Sequence, residues 1–133
     1  IFRADYATSL NDLAGRLSED NNLDQANQRL DQALEIWSRL IEEGHDVRKG
    51  YARALAFKAE LLDHWDPGAE SISYSLKALS AWKEIFFEDP HRWLLEMKTI
   101  CAQHMQRCKR LHNEHDQDLL WPIIRAIRMV EAE

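Results

Sequence analysis

The sequence predicts an all-α fold of six helices paired into three antiparallel hairpins, and three observations predict it. Residues 6 to 43 recur without a gap at 51 to 88. Tyr6/Tyr51, Ala7/Ala52, Leu10/Leu55, Ala14/Ala59, Leu17/Leu62, Ala33/Ala78, Leu34/Leu79, Trp37/Trp82 and Glu43/Glu88 are identical, which is 9 of 38 positions. Such a recurrence marks a stacked array, because one helix pair cannot bury its apolar face alone. Throughout the chain the apolar residues follow i, i+3, i+4 spacing, the period of amphipathic helices. Finally, 133 residues hold only four Gly and three Pro, too few turns for many short strands.

The first helix carries the stripe Phe2, Tyr6, Leu10, Leu13, Ala14, Leu17, and Asp20-Asn21-Asn22 stops it. Asn22 with Gln25 three residues on reads as a reciprocal cap, opening a second helix through Leu23, Ala26, Leu30, Ala33, Leu34, Trp37, Leu40 and Ile41, which Gly44 ends. So short a break makes the two helices antiparallel neighbours. Asp46 is the expected cap of a third helix on Tyr51, Ala52, Leu55, Ala59 and Leu62. Asp66-Pro67 and Asp89-Pro90 each read as an N-cap followed by Pro at the first helical position. They are expected to open the fourth helix (Ile72, Leu76, Leu79, Trp82, Phe86) and the fifth (Trp93, Leu94, Met97, Cys101, Met105, Cys108, Leu111). Asn113 to Gln117 breaks the pattern, and a last helix runs through Leu119, Leu120, Ile123, Ile124, Ile127 and Val130, with Pro122 in its first turn. The hairpins are thus expected at about 2–44, 46–88 and 90–132 of a single domain covering 1–133, the third keeping the period but not the repeated letters.

Composition narrows the function classes. Counting 23 acids against 17 bases gives −6, and residues 1 to 45 alone hold nine acids and four bases. A phosphate backbone needs clustered Lys and Arg, so nucleic acid is not an expected partner. No apolar run reaches the ~18 residues of a membrane span. Cys101 and Cys108 stand seven residues apart on one helix, ~10 Å along its axis and beyond disulfide reach. Two unbridged thiols suit a reducing compartment, so a cytoplasmic protein is expected. Because the chain opens on Ile1, it is expected to be part of a longer polypeptide.

The order Leu10, Leu13-Ala14, Leu17, Ala26, Leu30, Ala33 resembles the tetratricopeptide repeat, spacing for spacing. The long helices and the Tyr-Ala start are similar to the kinesin light chain type and to the sensor arms of signalling ATPases. The second hairpin departs from the motif at Lys58, where a large apolar residue is usual, and at Ser71 and Ser75, and the repeat is 45 residues long where ~34 is usual. The resemblance implies a right-handed superhelix holding a peptide or helix of another protein in a concave groove lined by the first helix of each pair. On those helices it makes Thr8, Asn11, Asp12, Gly15, Ser18, Arg53, Ala56, Glu60 and Asp63 the off-core positions. The Lys and Asn set with which some relatives clamp a carboxylate is missing here.

From this reading Asn11, Arg53, Phe57, Glu60 and His64 are the candidate partner-binding residues, Phe57 being an aromatic among charges such as interfaces favour. Its alternative is to be covered by a neighbouring helix. Tyr6, Tyr51, Trp37 and Trp82 recur with the repeat and read as core, Trp65 and Trp121 lie near helix ends, and Arg107, Lys109 and Arg110 read as a solvated basic patch. Cys101, His104, Cys108, His112 and His115 share one helix face. A metal held by Cys101, His104, Cys108 or His112 at i, i+4 would need ligands from another helix, and the alternative is a core stripe. No Gly-rich phosphate loop, His-Glu-x-x-His pattern or nucleophile elbow is present, so an enzyme is not expected and no cofactor is called for. Three readings remain: an interaction module for a protein or peptide partner, a structural array that stacks on its parent chain or self-associates, and a metal-binding helical domain.

Overall fold

The computed structural model describes residues 2–111 and 117–133, and the polar break at 113–116, with His112 and His115, lies outside them. Among the described residues there are six helices and no strand: α1 (Arg3–Glu19), α2 (Leu23–Glu42), α3 (Arg48–Trp65), α4 (Ala69–Glu88), α5 (Leu94–Arg110) and α6 (Gln117–Glu131). They pair as α1 with α2, α3 with α4 and α5 with α6, while α2 packs on α3 and α4 on α5. The pairs are antiparallel, since the start of one helix meets the end of its mate. Arg3 reaches Glu43 at 2.7 Å, Arg48 reaches Glu88 at 2.6 Å, and His91 bonds Glu133. Arg3/Arg48 and Glu43/Glu88 are both 45 apart, so one ion-pair latch is built twice.

The first two helices end alike. Asn21 (φ 60°) and Gly44 (φ 90°) take the left-handed conformation, and the next residue's N–H turns back, Asn22 to Leu17 O and His45 to Leu40 O. This satisfies carbonyls that the ladder leaves open, and Gly or Asn serves because either tolerates positive φ. Asn22 marks the start of α2 as expected but makes no side-chain cap. Val47 rather than Asp46 precedes α3, and the Asp46 carboxylate instead accepts from Arg48 at 3.1 Å.

The two Asp-Pro pairs stop helices and do not start them. Asp66 (φ −150°, ψ 70°) and Asp89 (φ −150°, ψ 76°) are the C-caps of α3 and α4. Pro clashes with an α-conformation in the residue before it, and that ends each helix. Helix α4 begins at Ala69, where the Ser71 hydroxyl accepts from Gly68 N–H (3.2 Å) and donates to Gly68 O (2.8 Å). Helix α5 waits until Leu94, after a turn in which Trp93 N–H bonds Asp89 O. Pro122 lies deeper than expected, in the sixth residue of α6.

Two apolar clusters form the core. One joins Ala7, Leu10, Ala14, Leu30, Ala33 and Trp37 to Ala54 and Leu61 of α3; the other joins Ala52 of α3 to Leu79, Trp82, Phe86, Met97, Leu120 and Ile123. Helix α3 therefore has apolar residues on opposite sides and belongs to both, which makes the hairpins adjoin. Trp37 and Trp82 are buried as expected. Tyr6 (56% exposed) and Leu13 (39%) are not, because no helix of the described chain covers that flank of α1.

Candidate partner-binding face

Two charged clasps fix how the hairpins adjoin. Lys58 is 3% exposed, and its ammonium donates to Asn27 and to Asp31 Oδ1 (2.7 Å) on α2 while lying 5.4 Å from the Tyr74 ring. Burial, then the Asp31 charge, raises the Tyr74 hydroxyl pKa. At the next junction Arg107 of α5 donates to Asp63 of α3 and, at 2.9 Å, to Ser75 Oγ of α4. Arg107 is buried, so it leaves the expected solvated patch, and Asp63 leaves the groove.

Ser75 links this clasp to the Cys/His stripe. Its Oγ accepts from Arg107 and lies 2.6 Å from His104 Nδ1, and His104 Nε2 lies 3.4 Å from Cys108 Sγ. Cys101, His104 and Cys108 are all buried between helices, with both ring nitrogens of His104 hydrogen-bonded. Burial pushes the Cys101 thiol up to about 11, and raises Cys108 despite Arg107 beside it. Among the described residues no group of three or more His, Cys, Asp or Glu is placed to hold a metal, and His112 lies outside them.

The face made by α1, α3 and α5 is different in kind. A cleft of about 520 Å³ between α1 and α3 is lined by Thr8, Asn11, Asp12, Gly15, Arg16, Glu19, Trp37, Gly50, Arg53 and Phe57. A second, of about 440 Å³ between α3 and α5, is lined by Arg53, Ala56, Phe57, Glu60, Trp82, Leu95, Glu96, Thr99, Ile100 and Gln103. Adding 45 to six of the ten residues that line the first cleft, Thr8, Asn11, Asp12, Gly15, Trp37 and Gly50, gives Arg53, Ala56, Phe57, Glu60, Trp82 and Leu95 of the second. The two clefts thus share one repeated frame, in which Arg16, Glu19, Arg53 and Phe57 of the first have no counterpart 45 residues on. Each is bounded by two successive first helices, with the Trp of the intervening second helix between them. A smaller hollow of about 300 Å³, lined by Gly15, Phe57, Glu60 and His64 among others, continues the α1–α3 cleft.

Asn11, Arg53, Phe57, Glu60 and His64 therefore all line hollows on this one face. Phe57 is half-buried, because Gly15 leaves room for its ring 3.6 Å from where a Cβ would stand. The exposed Arg53 and Glu60 have no ion-pair partner among the described residues, unlike the arginines of the latches and the Arg107 clasp. Trp37 Nε1, Trp82 Nε1 and Asn11 Oδ1 are buried without a hydrogen-bond partner among the described residues. Leu95, Thr99 and Gln103 were missed by the sequence reading, since α5 shares the period of the repeat but not its letters. The Gly50/Leu95 offset was the available signal. No family model matches this chain, and neither does any curated protein or solved structure. Among the described residues no helix is long and apolar enough to cross a membrane.

Proposed function

We propose that this chain is a non-catalytic protein-interaction module of the tetratricopeptide type, whose α1–α3–α5 face takes a peptide or helix of a partner protein. The observation that carries the reading is the recurrence of one cleft at the 45-residue period, with Arg53 and Phe57 in both walls. A ligand spanning two such hollows gains from each at the entropic cost of one association. The uncommitted charges of Arg53 and Glu60 beside Phe57 supply polar contacts around an aromatic anchor. A reducing, cytoplasmic setting accords with the two unbridged buried thiols.

The test uses peptides selected on the chain from a random display library. The double variant Arg53→Ala/Glu60→Ala is expected to lose at least about tenfold in affinity, ~1.4 kcal/mol, with an unchanged circular dichroism spectrum. Selected peptides that bind the double variant as well as the parent chain would remove this face from consideration.

A further inference from the structure

The repeat shows what belongs on the bare flank of α1. On α3 the positions facing the first hairpin are Val47, Tyr51, Ala54, Lys58 and Leu61, and α2 covers them. Forty-five residues earlier these positions are Phe2, Tyr6, Ser9, Leu13 and Arg16, and Phe2 is 78% exposed. Phe2, Tyr6 and Leu13, with the polar Ser9 and Arg16, thus form the counterpart of a surface that elsewhere in the same molecule lies against the second helix of a hairpin.

We infer that this flank takes helix α6 of a second copy of the chain, head to tail. Helix α6 is the third helix of the α2 kind, and the residue 90 positions after Asp31 is Trp121. Inside the chain Asp31 meets Lys58. Between copies the equivalent pair is Trp121 and Leu13, so the ionic clasp becomes an apolar contact on both sides at once. Trp121 is 50% exposed, with the Arg128 guanidinium 5.9 Å from its ring. Charge agrees with the pairing. Asp5 and Asp12 with Arg16 give the α1 flank a net −1, Arg125 and Arg128 with Asp118 give the surroundings of Trp121 a net +1, and none of the six has an ion-pair partner among the described residues. The two surfaces are different patches, so the contact is heterologous and each copy keeps one of each kind free to continue. This surface adjoins the cleft face, with Asp12 and Arg16 at their common border, but the contact itself is centred on Tyr6 and Leu13, which line neither cleft.

The experiment is sedimentation of the whole chain, alone and as two variants, Tyr6→Glu/Leu13→Glu on α1 and Trp121→Glu on α6. The parent chain is expected to rise above its 15.6 kDa monomer mass as concentration is raised to about 1 mM, where a contact worth ~4 kcal/mol is half-formed. Each variant alone stays monomeric, and an equimolar mixture forms one-to-one pairs that grow no further, because one intact flank of each kind remains. Each variant must keep the parent's circular dichroism spectrum, and Leu13→Ser and Trp121→Ser replace any that does not. A parent chain monomeric throughout, a mixture that does not pair, or a Trp121→Glu protein that still associates by itself would each overturn the inference, the last by showing α1 against α1.

Discussion

Lys58 shows how far one side chain can be understood from its position in the chain. Its departure from an apolar pattern is plain in the sequence, but Asn27 and Asp31 lie 31 and 27 positions upstream and meet it only after two hairpins adjoin. Lys58→Ala empties a buried site and takes the donor from part-buried Asn27 and half-exposed Asp31, and it is expected to lower stability by about 1–3 kcal/mol. Lys58→Met removes the same donor but keeps the volume, so it is expected to lower stability less than Lys58→Ala does. Urea unfolding of the two variants separates these outcomes. Glycines divide in the same way. A Cβ on Gly50 would stand 2.6 Å from the Trp37 ring, so Gly50→Ala is expected to cost about 1–3 kcal/mol through overpacking. At Gly15 the nearest atom is 3.6 Å away, and Gly15→Ala is expected to stabilise by up to ~1 kcal/mol through helix propensity, read as opposite shifts in thermal midpoint. Tyr6 and Tyr51 carry the residue-scale lesson. The letters are identical and their burial is not, because a neighbour covers one of them and periodicity cannot say which.

At the scale of the element, the existence of six helices was legible and their ends were not. Hydrophobic period depends on many residues, whereas an end depends on one or two local bonds. Asp66-Pro67 satisfies the rule for starting a helix and also the rule for stopping one, and the Ser71 bonds to Gly68 decide the matter. The latches at the helix ends have their own signature. Hydrogen bonding to Arg3 lowers the pKa of Glu43, hydrogen bonding to Arg48 lowers those of Glu88 and Asp46, and the same bonds raise the two arginines. A carboxylate whose folded pKa is depressed contributes stability above its unfolded pKa, and that contribution is lost as pH falls through the folded value. The thermal midpoint is therefore expected to decline below about pH 4, the ordinary Glu range, more gently in Arg48→Ala than in the parent chain. Raising salt to 1 M narrows the difference, because these pairs are exposed and screened.

In the molecule as a whole, the hairpins adjoin through α3, whose Ala54 and Leu61 belong to one cluster and Ala52 to the other. Neither cluster is complete without it. Far-ultraviolet dichroism and tryptophan fluorescence are accordingly expected to report one shared unfolding transition, since Trp37 and Trp82 sit in different clusters. Two separated transitions would show the hairpins to be energetically independent. Much of the cleft face was legible, because the repeat sets the register of α1 against α3 and so the facing positions Asn11, Arg53 and Glu60. Its α5 wall was not, since Leu95 and Thr99 carry no repeated letter and reach the face only through the packing of α4 on α5. Phe57 and Arg53 stand in a partition with a hollow on either side. The two rooms therefore share one wall, and a single substitution at Phe57 or Arg53 alters both of them together.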